Sequence, residues 1–130
     1  MCEFGENRTD GRYVDNWRMA KRQISKTAGV AAIAAGDKAT SVRYLLQLIE
    51  TASPGGAVEL RVPPFGAIQC IGGLDHRRGT PPNVVELSPD NFLALALGDA
   101  SWEELTQSGE LLASGVMANE LRNLFPLAGV

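Results

Sequence analysis

Histidine and cysteine are nearly missing from this sequence: His76, Cys2 and Cys70 are the only N/S ligands of those two types. A four-ligand Cys/His zinc site cannot be built from three such groups within one chain. Cys2 and Cys70 also lack C-x-x-C spacing, so two reduced thiols are expected, with no metal and no cofactor. Long apolar runs are missing too. No stretch reaches the roughly 18 apolar residues of a membrane-spanning helix; the Ala-rich Gly29–Gly36 run is bounded by Lys26 and Asp37. The opening MCEFGENRTDGR carries charge where a secretory leader needs an apolar region, so a cytoplasmic location is expected. Basic residues are in deficit: 12 Lys+Arg against 15 Asp+Glu leave a net charge of −3. Phosphate binding needs an electropositive face, which argues against nucleic acid as the partner.

Catalytic signatures are equally scarce. There is no G-x-S-x-G elbow. Gly36-Asp37-Lys38-Ala39-Thr40 puts a lysine near a glycine without P-loop spacing, and a helix junction explains it. The Gly29–Gly36 run follows no strand signal, so it is not a dinucleotide fingerprint. Nothing singles out a pair among the fifteen acids, and Glu103-Glu104 has a use in helix capping.

What is present suits one domain. The chain has 130 residues, of which 45% are hydrophobic and 21% charged, enough for a single core. Residues 1–13 read as a loose polar arm, and residues 14–130 as the domain. Val14, Trp17, Ala20, Ile24, Ala28, Ala31 and Ala35 recur at helical steps, predicting an N-terminal helix within 14–37 that Gly36 and Asp37 end. A second helix follows on Val42, Leu45, Leu46, Ile49 and Ala52, and Ser53-Pro54-Gly55-Gly56 stops it. The period then falls to two. Val58, Leu60 and Val62 alternate with Glu59 and Arg61, Ala67–Ile71 is a second short strand, and Val84–Leu87 a third. Ser88-Pro89-Asp90 starts a helix that Gly98 closes. Ser101 with Glu104 forms a capping box for the next. Glu110–Ser114 reads as a strand, and Leu121, Leu124 and Phe125 as a last helical stripe. Strands clustered beside helices with short links predict an α+β fold with a mainly antiparallel sheet. Val58, Leu60, Val62, Ile68, Val85, Leu87 and Leu111 are its expected core positions.

The one chemical concentration is His76-Arg77-Arg78, in the Gly/Pro-rich stretch 74–83. Its plainest reading is a solvated loop whose arginines pair with Glu59, Glu86 or Asp75. A clamp on an anionic head group comes second, and a histidine general base third.

The second half carries an ordered set of motifs: Ser88-Pro89-x-x-Phe92-Leu93-x-Leu95, Leu97-Gly98-x-x-Ser101-Trp102-x-x-Leu105, Ser108-Gly109-x-Leu111-x-Ala113-Ser114-Gly115, and Leu121-x-x-Leu124-Phe125-Pro126. With Arg61-Val62-Pro63-Pro64-Phe65-Gly66-Ala67-Ile68-Gln69 and Arg78-Gly79-Thr80-Pro81-Pro82-Asn83-Val84-Val85-Glu86, they resemble the sterol carrier protein type 2-like family, in its small bacterial branch. The resemblance spans residues 38–127. It implies about five strands, largely antiparallel, with helices on one face and an apolar tunnel between the layers. It also implies non-catalytic binding or carrying of a sterol, fatty acid or acyl chain. Expected tunnel walls are Phe65, Phe92, Leu95, Trp102, Leu105, Leu121 and Leu124. None can pair a charged head, so His76 and Arg78 are the expected head-group contacts. Arg78 is preferred over Arg77 because it adjoins Gly79-Thr80, where a turn can add N–H donors. The competing expectation is an interaction or dimerisation module with a closed core and no lipid; a homodimer is compatible with either.

Overall fold

The structure, a computed structural model, describes residues 23–73 and 83–127. Its elements are α1 (Lys26–Ala35), α2 (Lys38–Ala52), β1 (Val58–Val62), β2 (Gly66–Cys70), β3 (Val84–Leu87), α3 (Pro89–Leu97), α4 (Trp102–Gln107), β4 (Leu111–Ser114) and a 3-10 helix (Ala118–Leu124). Among the described residues no helix is long and apolar enough to cross a membrane.

Local chemistry sets the helix ends. Ser25 Oγ accepts from Ala28 N–H, and Asp37 Oδ1 from Thr40 N–H, starting α1 and α2. Ser88 Oγ does the same for α3 through Asn91 N–H. Ser101 and Glu104 close the capping box of α4 in both directions, satisfying two donors that a helix start leaves free. Gly36 and Gly98 end α1 and α3 with φ of 77° and 89°, a left-handed conformation in which a side chain would be strained.

The strands form a sheet of order β2-β1-β3-β4. Val58, Leu60, Val62, Ile68, Cys70, Val85, Leu87 and Leu111 are buried on one face, which includes every sheet core position expected from the two-residue period. α2 packs on β2 and α4 on β4, and α2 also meets α3. Glu59, Arg61 and Glu86 stand on the opposite face, where Arg61 pairs with Glu59 at 2.9 Å and reaches Glu86 at 3.9 Å.

Two expectations about the sheet are corrected. It is mixed rather than mainly antiparallel: β1 pairs antiparallel with β2 and β3 with β4, but β1 and β3 run parallel, with Leu60 opposite Val85. The cause is chain direction. The β1–β2 hairpin returns the chain to the end where β1 began, and a strand starting there beside β1 runs the same way. The second correction is to the strand number, which is four among the described residues rather than about five. Pro63–Phe65, between β1 and β2, is a tight turn closed by Phe65 N–H on the Val62 carbonyl at 2.9 Å.

Of the helix expected within 14–37, residues 14–22 lie outside the described residues, and residues 23–25 are not helical. Ser25 is extended, with φ −69° and ψ 158°, so the helix begins at Lys26. The last helical stripe is present but wound as a 3-10 helix ending at Leu124, with Phe125 extended beyond it.

Candidate functional site

A cavity of about 540 Å³ opens between α2, β2 and the chain that leads into α1. Arg43, Leu46, Gln47 and Glu50 line it from one stripe of α2, at steps of three and four along the helix. Ile24, from the segment before α1, and Phe65 and Ile68, from the β1–β2 turn and β2, also line it. The lining is mixed: Ile24, Leu46, Phe65 and Ile68 supply its apolar part, and Gln23, Arg43, Gln47 and Glu50 its polar part, with Arg43 and Glu50 on exposed residues. Small-molecule sites combine apolar surface with polar groups, and the volume falls within their usual range of about 300–1,000 Å³.

Each wall has a local cause. Gln47 Nε2 donates to the Ile24 carbonyl and its Oε1 accepts from Ile24 N–H, both at 2.8 Å, so one side chain holds residue 24 to α2. Phe65 is half-buried at the end of the Pro63-Pro64 turn and packs against the core cluster. Gly66 lies so near Leu46 that a Cβ there would stand 3.1 Å from Leu46 Cδ1. On β2 the thiol of Cys70 is buried, and burial, with the charge of Glu50, pushes its pKa up to about 11. It stays a neutral thiol at physiological pH, which is no nucleophile.

A second cavity, about 390 Å³, lies between the end of α3, α4 and the segment after the 3-10 helix. Leu95, Trp102 and Phe125 form its apolar part, and Asp99, Glu103, Glu104 and Arg122 its charged part. Arg122 pairs with Glu103, and Glu104 is occupied by the capping box.

The expected tunnel residues are thus divided among different places. Phe65 lines the first cavity, and Leu95 and Trp102 the second. Phe92, Leu105 and Leu121 are buried in the core cluster, and Leu124 is half-buried against it. Phe125 joins Phe92 edge-on at 6.3 Å and stacks on Trp102 at 6.4 Å, filling the space between them. His76 and Arg78 lie outside the described residues. Sequence reasoning missed Ile24, Leu46, Gln47 and Ile68 as cavity residues. For Gln47 the only signal was a polar residue between the apolar positions of the second helix. Asn83 was missed as well. It is 4% exposed, its Nδ2 donates to the Ala57 carbonyl at 2.8 Å, and its Oδ1 accepts from Met117 N–H at 2.9 Å.

A family model described as bacterial SCP ortholog matches residues 35–127. The chain belongs to this family. Both cavities are lined largely by residues of that bacterial SCP span, the exceptions being Gln23 and Ile24. Among solved structures, this bacterial SCP chain is similar to sterol carrier protein 2 like 2 (SCP2-L2) from Aedes aegypti, with 13% identity and a TM-score of 0.43. That alignment covers 65% of this chain and 95% of the mosquito chain. No curated protein matches the sequence.

Proposed function

We propose that the protein binds and carries an apolar ligand, such as a sterol, fatty acid or acyl chain, in the cavity between α2 and β2. The observation that carries this reading is a cavity of about 540 Å³ with Ile24, Leu46, Phe65 and Ile68 as the apolar part of its lining, in a member of the bacterial SCP family. Burying a 12-carbon chain at about 0.8 kcal/mol per methylene gives a gross gain of roughly 9–10 kcal/mol. Association and ordering costs of several kcal/mol lower this to binding of about micromolar strength. No catalytic group takes part, and ligand entry and release are reversible.

Mass spectrometry of the native protein after organic extraction tests the proposal. A recurrent apolar compound near stoichiometric amount is the expected result. A protein that is empty and also binds no added fluorescent fatty acid would instead be the closed-core interaction module. Within the cavity, Phe65→Ala is expected to weaken a fluorescent fatty acid about tenfold, because a half-buried aromatic wall is lost. Leu112→Ala, 60% exposed on β4, should leave binding unchanged.

A further inference from the structure

α1 is attached to the rest of the molecule in an unusual way. Of its ten residues only Gly29 and Ala32 are buried. Its packing is mainly on α2, where Gly29 sits so close to Tyr44 that a Cβ would overlap the ring. The two helices are joined through a single left-handed residue, Gly36, with nothing within 4 Å of where its Cβ would be. A main-chain hydrogen bond spans that joint, from Asp37 N–H to the Ala32 carbonyl, and must open when the joint turns. Gly36 N–H bonds back to the Ile33 carbonyl, while the Asp37 carbonyl accepts from Ser41 N–H and Oγ. At its other end, α1 is preceded by the non-helical residues 23–25, held to α2 by the reciprocal pair of bonds between Gln47 and Ile24. Ile24 also lines the cavity, together with Phe65 and Ile68.

We propose that α1 with residues 23–25 is a hinged cover over the cavity, pivoting at Gly36, seated by Gly29 on Tyr44 and latched by Gln47. The proposal rests on the ligand-binding reading of that cavity. Rotation about the Gly36 backbone removes Ile24 from the wall while leaving α2, Phe65 and Ile68 in place. The ligand then enters and leaves sideways, with no disturbance of the sheet. Gln47 acts as a positioning residue: it fixes the segment that closes the cavity.

Two measurements on the full chain test this. Stopped-flow binding of cis-parinaric acid, a fluorescent fatty acid, should show association and dissociation both about tenfold faster in Gln47→Ala, with the dissociation constant changed far less. Gln47→Glu keeps the acceptor for Ile24 N–H and loses the donor to its carbonyl, so its rates should fall between. Hydrogen exchange provides a ligand-free readout. An undocked ten-residue helix is too short to persist in water, so in Gln47→Ala the amides of Val30–Ala35, which Gln47 does not touch, should exchange about tenfold faster while those of β1 and α3 are unchanged. Unaltered rates with a bound probe, or unaltered exchange over Val30–Ala35, would overturn the cover. If cis-parinaric acid does not bind the unmodified protein, the ligand reading of the cavity fails, and exchange alone decides whether the hinge opens.

Discussion

Asn83 shows how much one polar side chain can hold together. Its side-chain amide joins the carbonyl of Ala57, before β1, to the N–H of Met117, after β4, while its main-chain carbonyl accepts from Glu59 N–H at 2.9 Å. Alanine there would leave a buried donor and acceptor without partners, an expected cost of about 2–4 kcal/mol in chemical denaturation. Asn83→Asp makes a sharper test. An ionised carboxylate cannot donate to the Ala57 carbonyl, whereas the protonated acid can. The folded state should therefore favour protonation and raise the carboxyl pKa above its unfolded value. Stability of that variant should be greatest at acid pH, below the unfolded carboxylate pKa, and fall as pH rises through the folded one. The unmodified protein should lack that loss. A variant whose stability difference is flat across that range would show that the amide is not needed as a donor.

Among the elements, legibility followed the range of the forces involved. Ser88-Pro89 and Ser101 with Glu104 gave correct helix starts because capping is settled within four residues. The alternation Val58, Leu60, Val62 gave the buried face of β1 for a similar reason. Strand direction was not readable, since alternation is the same beside a parallel or an antiparallel neighbour. The cavity was not readable either: it needs Ile24, α2 and the Phe65 turn to converge, and nothing in each local pattern announces the others. Gly29 illustrates the conflict between the two ranges. Taken alone, Gly→Ala inside a helix stabilises by about 1 kcal/mol. Against Tyr44 the added Cβ has no room, so Gly29→Ala should lower the unfolding midpoint, by an amount equivalent to about 1–3 kcal/mol. A raised midpoint would mean that the Tyr44 ring moves aside freely.

Across the whole molecule, the mixed sheet divides the chain by sequence. Residues 23–73 supply α1, α2, β1 and β2, and residues 83–127 supply β3, α3, α4, β4 and the 3-10 helix. The antiparallel pairs lie within these halves, and the parallel pair β1–β3 is the seam between them. The proposed cavity belongs wholly to the first half, while the aromatic cluster of Phe92, Trp102 and Phe125 belongs to the second. The protein is therefore assembled as an internal heterodimer, with Asn83 and the buried faces of both halves as its interface. Two fragments, residues 1–78 and 79–130, expressed together with an affinity tag on one, should co-purify as a pair with the far-ultraviolet spectrum of the intact chain. Recovery of the tagged fragment alone would show that the covalent connection, rather than the parallel seam, keeps the halves in register. Joined by that seam, the second half can serve as a rigid base, and changes in ligand preference can accumulate in the first half without re-engineering the other.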